Sequence, residues 1–190
     1  MPKIVDHEEY KKQVLEKCID IFYKQGYRNV SLRDIAKHLK VSVGSLYYYF
    51  PSKKELFLEM YKMLQEKSKK EFHEILKDCK NSYQKVEKFL LTLLDNPTIV
   101  QKQTILLFDL IREDDPENVK KIAFYFIRQF ALSIQEELDI SFEESQMILV
   151  FIAGLVQGNF IINNKKFFKP PVSEFLKVFK NELNNKKNQS

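Results

Sequence analysis

The chain has 190 residues, 44% of them apolar, with a net charge of +5 and only four glycines. This composition supports one or two compact domains with a real core, and favours long helices over many short strands. The two cysteines, Cys18 and Cys79, exclude a disulfide framework and indicate reduced thiols in a cytoplasmic protein. The first residues are charged and lack an apolar stretch, so we expect no secretory signal there.

Basic residues are concentrated in one short part of the chain. Residues 24–54 hold seven lysines and arginines against the single acidic residue Asp34. A solvated helix face is the ordinary reason for a run of charge. An excess confined to about thirty residues also suggests a surface that faces a polyanion such as nucleic acid.

The first helices are marked by their termini. Residues 7–25 place apolar side chains at helical spacing, and Gly26 ends that helix. Three capped helix starts then follow closely: Ser31 with Asp34 three residues later, Ser42, and Ser52 with Glu55. Because the first two of these helices are short and separated only by LKVS, the pattern predicts a helix-turn-helix.

Four consecutive aromatic residues close the second short helix. Leu46 and Phe50 lie one turn apart, so we expect both to face the core. The three tyrosines between them, residues 47–49, must then face elsewhere. Pro51 ends this helix, and Ser52 begins a long fourth helix that extends to about Asp78.

The remainder of the chain is predicted to be helical, without a convincing strand. The predicted segments are residues 83–95, 98–113, 118–138, 143–163 and 172–184. The segment KKFFKPP is expected to interrupt the chain before the last helix, because proline breaks a helix interior. The longest apolar run, residues 147–156, is too short to span a bilayer, which needs about 20 residues, and is expected to be buried on most sides.

The segment SLRDIAKHLKVSVGSLYYYFPSKKELF resembles the DNA-binding segment of the TetR family of bacterial transcriptional regulators. The matching landmarks are Ile35-Ala36, Val41-Ser42, Gly44, Leu46-Tyr47, Tyr49-Phe50, Ser52-Lys53 and Leu56. The resemblance implies an all-α protein of about nine helices. It also implies a helix-turn-helix DNA-binding domain in residues 1–53, with its core motif in 31–50, and an effector-binding and dimerisation domain in residues 54–190.

The resemblance implies that a recognition helix, residues 43–49, enters the major groove of a palindromic operator. Tyr47 and Tyr49 would bind phosphates, and Tyr48 would lie against base edges. Arg33 would reach a base, and Lys53 a phosphate at the start of the fourth helix. The residues expected to contact DNA are Ser31, Arg33, Ser42, Val43, Gly44, Ser45, Tyr47, Tyr48, Tyr49 and Lys53.

Two details of this motif have alternative interpretations. Tyr47 could pack partly in the core instead of binding a phosphate. Ser31 and Ser42 are first of all helix caps, and contact with DNA would be an additional role. The family often has glycine in the turn between the two short helices, where this chain has Lys40. If Lys40 is left-handed, its side chain costs roughly 1 kcal/mol.

By the same resemblance, the second domain would bind a small apolar or amphipathic effector and form a homodimer through its last two helices. The candidate ligand-binding residues are Phe108, Arg112, Phe126, Arg128, Phe130 and Phe151. The candidate interface residues are Gly154, Leu155, Gly158, Phe175 and Phe179. The phenylalanines could instead be ordinary core residues, and Arg112 could pair with neighbouring acids. The two glycines could instead allow a close helix crossing within one chain.

Catalysis is not expected. The three histidines lie far apart in the sequence, without a nucleophile or metal-ligand spacing around them, and there is no glycine-rich phosphate loop. No metal, cofactor or membrane partner is therefore predicted. The predicted function is a ligand-responsive repressor; the alternative is an activator or architectural factor of the same fold whose second domain binds a protein or nothing.

Overall fold

The computed structural model describes residues 7–112 and 116–187, and over these residues the protein is all-α, without a strand. The helices are α1 His7–Gln25, α2 Leu32–Leu39, α3 Val43–Tyr49, α4 Lys53–Leu76, α5 Ser82–Asp95, α6 Thr98–Ile111, α7 Pro116–Leu138, α8 Phe142–Ile162 and α9 Lys165–Lys187. The predicted fold class is confirmed, and so is the predicted extent of the recognition helix.

The three predicted helix starts are confirmed by their hydrogen bonds. The Asp34 N–H donates to Ser31 Oγ at 3.2 Å, and the Ser31 N–H donates back to the Asp34 carboxylate at 2.9 Å. These bonds from Ser31 lower the pKa of Asp34. Ser42 Oγ accepts from the Ser45 N–H at 3.0 Å, and Ser52 Oγ from the Glu55 N–H at 3.1 Å. Each cap satisfies a backbone donor that has no partner inside its helix.

Lys40 ends α2 in the left-handed conformation, with φ 57° and ψ 40°. We expect Lys40→Gly to raise the free energy of unfolding by up to about 1 kcal/mol, because glycine adopts this conformation without the steric cost of a Cβ. Lys37→Gly, at an exposed position inside α2, is the control and should lower stability by about 1 kcal/mol. Urea denaturation of both variants measures the difference; equal losses would mean that Lys40 carries no strain.

The chain forms two compact units. Unit 1 extends to Lys67 and includes Ile105–Lys121, and unit 2 comprises Ser68–Thr104 and the chain from Ile122 onward. Three helices, α4, α6 and α7, therefore contribute residues to both units. The functional division into residues 1–53 and 54–190 stays a prediction.

Unit 1 is built around aromatic residues. Leu46 and Phe50 are both fully buried, which confirms their predicted inward orientation. Phe57 of α4 meets Phe22 of α1 edge to face, with ring centroids 5.1 Å apart. α2 packs on α1 and on α3, and the fully buried Ala36 allows the close approach. These contacts hold the short α3 against the rest of unit 1.

Unit 2 has its own core, in which α5 packs on α8 and α9. One face of α8, including Ile148 and Ile152, lies in this core. By length and composition, α8 is the one helix among the described residues that could cross a membrane. The expectation that it is buried on most sides is wrong, because Met147, Val150 and Ile161 form an exposed apolar face.

The last helix begins earlier than predicted and runs through two prolines. α9 covers Lys165–Lys187 and contains Pro170 and Pro171. The missing N–H groups leave the carbonyls of Lys166 and Phe167 without their helical partners, but both residues are exposed, so solvent can satisfy them. Burial of Phe168 on the opposite side offsets the cost. The predicted interruption at KKFFKPP is therefore wrong.

Candidate nucleic-acid interface

All ten residues predicted to contact DNA are exposed or half-buried in unit 1. α3 points Val43, Tyr47 and Tyr48 outward, and Tyr48 is the most accessible of them at 77%. Tyr47 is about half exposed, at 47%, so core packing accounts for only part of its ring. The surface of α3 opposite Leu46 and Phe50 is thus aromatic, polar and accessible.

Gly44, in the first turn of α3, faces open space. A Cβ built at this position would meet no atom within 4 Å, and the residue is exposed. Glycine inside a helix costs about 1 kcal/mol relative to alanine. No neighbour in the described part of the protein therefore requires the missing side chain, and contact between Gly44 and DNA stays a prediction.

A groove of about 500 Å³ connects the start of α2, the outer side of α3 and the start of α4. It brings together three predicted residues, Ser31, Tyr47 and Lys53, and adds two that the motif did not indicate, Arg28 and Asn29. The only signal for Arg28 in the sequence was its place in the basic segment. The groove combines Arg28 and Lys53 with hydroxyl groups and two helix N-termini, which suits an anionic backbone. The Asp34 carboxylate also lines it and accepts from the Ser31 N–H of the helix cap.

Tyr49 is supported from α1. Its hydroxyl is hydrogen-bonded to His7 Nδ1, and its ring packs on that of Tyr10 with centroids 5.0 Å apart. Partial burial, with the neighbouring Tyr48 and Tyr10, raises the pKa of Tyr49, so its hydroxyl remains protonated near neutral pH. The Tyr10 hydroxyl also lies 3.4 Å from Ser45 Oγ. The first turns of α1 therefore orient two of the predicted DNA-contacting residues.

Lys53 begins α4 and turns its ammonium toward Tyr27. Its Nζ donates to the Tyr27 carbonyl at 2.9 Å and lies 4.2 Å from the centroid of the Tyr27 ring. Contact between Lys53 and a phosphate stays a prediction.

The six candidate ligand residues are divided between the two units. In unit 1, Phe108 and Arg112 are exposed, and the acids that follow Arg112 lie outside the described residues. In unit 2, Phe126 is buried, Phe130 and Phe151 are half-buried, and Arg128 is exposed. A groove of about 550 Å³ along α5 contains none of the six and is lined largely by polar side chains. The effector site stays a prediction.

The candidate interface residues have different environments. Leu155 and Phe179 are buried in the core of unit 2, and Phe175 stacks on Phe151 at 4.2 Å, so all three pack within the chain. A Cβ on Gly158 would lie 2.7 Å from the Phe168 ring. Gly158 therefore allows α8 and α9 of one chain to pack closely, which is the alternative that the sequence left open. Gly154 alone of the five has open space beside it.

No cluster of three or more histidine, cysteine or acidic residues that could hold a metal ion occurs in the described parts of the chain. Cys18 and Cys79 are both free thiols. Burial raises the pKa of Cys18 to about 12. A thiol with such a pKa is unreactive at neutral pH.

Comparison with known proteins agrees with this geometry. Residues 14–60 match the family described as "Bacterial regulatory proteins, tetR family". The transcriptional regulator PksA of Bacillus subtilis (strain 168) is 39% identical over 67 residues, which are 35% of this chain and 33% of PksA. The matched region thus spans about a third of that relative.

Solved structures extend the likeness of fold to most of the chain. Reduced NemR of E. coli superimposes with a TM-score of 0.72 and 17% identity, covering 90% of this chain and 96% of NemR. The regulator FadR of Bacillus subtilis, solved with stearoyl-CoA, superimposes with a TM-score of 0.61 and 16% identity, covering 87% and 96%. The proteins found by these comparisons are transcriptional regulators rather than enzymes. Residues 14–60 therefore match the tetR family of bacterial regulatory proteins, and most of the chain shares its fold with solved transcriptional regulators such as FadR.

Proposed function

We propose that the protein is a cytoplasmic, ligand-responsive repressor that binds a palindromic operator as a homodimer. The observation that carries the proposal is the exposed face of α3, where Tyr47 and Tyr48 project beside the open Gly44. A short helix with its first turn unobstructed can enter the major groove, about 12 Å wide, and bring side chains to base edges. In this proposal Tyr48 would read bases, and the hydroxyl groups around it would bind phosphates.

The groove beside α3 supports the proposed backbone contacts. Ser31, Tyr47 and Lys53 line it together with Arg28. Contacts of this kind fix the register of a protein on DNA without reading sequence, and they make affinity fall steeply with salt. The Tyr49 hydroxyl, which is hydrogen-bonded to His7 Nδ1, would add a further phosphate donor when the His7 N–H is the donor in that bond.

Dimer formation is proposed through the outer face of α8. Met147, Val150 and Ile161 expose apolar side chains there, and Gly154 lets a second copy approach closely. Two recognition helices must reach half-sites about one helical turn apart, and a two-fold dimer meets this requirement. Leu155 and Phe179 lie in the core of unit 2, so they are not part of this proposed dimer face.

The proposed effector is an apolar or amphipathic molecule bound in the C-terminal part of the chain. FadR, which shares this fold, was solved with stearoyl-CoA, a ligand of that class. Binding would shift a pre-existing equilibrium between dimers with different spacings of the two α3 helices, and operator affinity would fall when that spacing leaves the optimum. A dimer crosslinked at the DNA-competent spacing should then no longer release DNA on addition of ligand.

Selection of bound duplexes from a random pool, at a stated salt concentration, tests the DNA-binding part of the proposal. We expect enrichment of an inverted repeat with half-sites about one turn apart. Enrichment of a single half-site would contradict the dimeric mode, and no enrichment would contradict a sequence-specific regulator. A reporter placed downstream of the selected site then distinguishes a repressor from an activator.

We expect substitutions at Tyr48 and Tyr49 to have different effects, one on sequence specificity and the other on overall affinity for DNA. Tyr48→Ala is expected to change the selected sequence while leaving stability within about 0.5 kcal/mol, because the residue is 77% exposed. Tyr49→Phe is expected to weaken binding to all duplexes by a similar factor, because a phosphate contact carries no sequence information. Repeating the selection with both variants, and titrating matched and scrambled duplexes, measures both effects. A base preference altered by Tyr49→Phe alone would reverse the two assignments.

A further inference from the structure

Asp109, near the end of α6, contacts the turn between α1 and α2. The Tyr27 N–H donates to Asp109 Oδ2 at 3.3 Å. The same oxygen would lie 3.4 Å from a Cβ on Gly26, which has φ +78°. The Asp109 carboxylate therefore lies against a turn where glycine provides the left-handed conformation.

Tyr27 is held at the other side by residues of α4. Its carbonyl accepts from Lys53 Nζ at 2.9 Å, and its ring lies beneath the Lys53 ammonium. The ring also meets Phe57 edge to face at 4.9 Å and stacks on Phe22 at 5.8 Å. Both backbone polar groups and the ring of this one residue are thus engaged.

We propose that Asp109 is a positioning residue for the Lys53–phosphate contact, acting through Tyr27. Asp109 sets the Tyr27 backbone by accepting from its N–H, and Tyr27 in turn sets the Lys53 ammonium at the edge of the groove lined by Ser31 and Tyr47. A long lysine side chain loses considerable rotamer freedom when it binds a phosphate, so holding it in place beforehand strengthens the contact. The inference rests on the proposed DNA-binding function.

Whether removal of the Asp109 carboxylate weakens or strengthens DNA binding distinguishes a positioning role from a simple effect of charge. Removal of a carboxylate lowers electrostatic repulsion of DNA, and by itself this should strengthen binding. If Asp109 positions Lys53, Asp109→Ala should instead weaken binding. Asp109→Asn removes the same charge but keeps a side-chain oxygen that can accept from the Tyr27 N–H, so it should retain binding.

The experiment titrates the protein with a selected duplex, and with a scrambled duplex of equal length, over a range of salt concentrations. We expect Asp109→Ala to lower the slope of log affinity against log salt by about two, one phosphate contact for each subunit. Lys53→Gln should lower it equally, and the double variant should show no further loss. Glu117→Ala, which removes an exposed acid elsewhere in unit 1, is the charge control and should not weaken binding.

Amide exchange in the free protein tests the positioning separately from DNA. The Tyr27 amide should exchange faster in Asp109→Ala than in the wild type, and nearly normally in Asp109→Asn. The inference is overturned if Asp109→Ala binds at least as tightly as the wild type with an unchanged salt slope, or if its loss adds fully to that of Lys53→Gln. Failure of the wild type to bind any selected duplex would instead overturn the proposed function, and the DNA role of Asp109 with it.

Discussion

Phe50→Ala is expected to lower the free energy of unfolding by about 3–5 kcal/mol, the usual cost of removing a buried phenylalanine. Phe50 ends α3, is fully buried, and lies beneath the Lys11 ammonium at 5.6 Å from its ring centroid. α3 has only seven residues and is too short to persist without packing. Loss of this anchor should therefore release α3 from the core and abolish the proposed binding to an operator.

Urea denaturation followed by far-ultraviolet circular dichroism measures this effect. The control is Tyr48→Ala, two positions away in the same helix, which removes a ring that is 77% exposed. Because the protein has two compact units, the transition of unit 1 has to be resolved from that of unit 2. Equal losses for the two variants would show that α3 is not anchored through Phe50.

Gly158→Ala is expected to lower the free energy of unfolding by about 1–3 kcal/mol through overpacking. Its Cβ would lie 2.7 Å from the Phe168 ring, and Phe168 is itself buried at the start of α9. The ring has little freedom to move away because the core of unit 2 surrounds it. The cost should therefore exceed the gain of about 1 kcal/mol from replacing glycine in a helix.

Gly154→Ala is the matched control, one turn earlier in α8. A Cβ at Gly154 would meet nothing within 4 Å, so this variant should gain up to about 1 kcal/mol in the isolated chain. Thermal unfolding at low protein concentration compares the two variants, and analytical ultracentrifugation adds the dimer dissociation constant. Destabilisation of the isolated chain by Gly154→Ala would contradict the assignment of Gly154 to an open face.

The helix-turn-helix could be predicted from the sequence because its determinants are local. Ser31, Ser42 and Ser52 each cap a helix through a residue three positions later, and such a bond needs no distant partner. The orientation of Leu46 and Phe50 follows from helical periodicity, which also leaves Tyr48 outside. The sequence indicated only that Lys40 could be left-handed, and in the structure Lys40 has that conformation.

Features decided by distant contacts could not be predicted in the same way. Pro170 and Pro171 are typical of a helix break, but the helix continues through them while Phe168 is buried in the core of unit 2. Gly154 and Gly158 look equivalent in the sequence, whereas Phe168 occupies the space beside only one of them. Leu155 and Phe179 matched an interface pattern and are core residues, because helical periodicity does not say which neighbour an apolar face meets.

The sequence by itself determined the all-helical class, the boundaries of the recognition helix and the tyrosine face that it presents. Each of these depends on hydrogen bonds and periodicities within a few turns of chain. Only the tertiary structure decided that Asp109 reaches Tyr27, 82 positions away, and that Tyr27 in turn holds Lys53. Such contacts depend on how whole helices pack, and the free energy of packing is spread over many side chains, so no short motif records it.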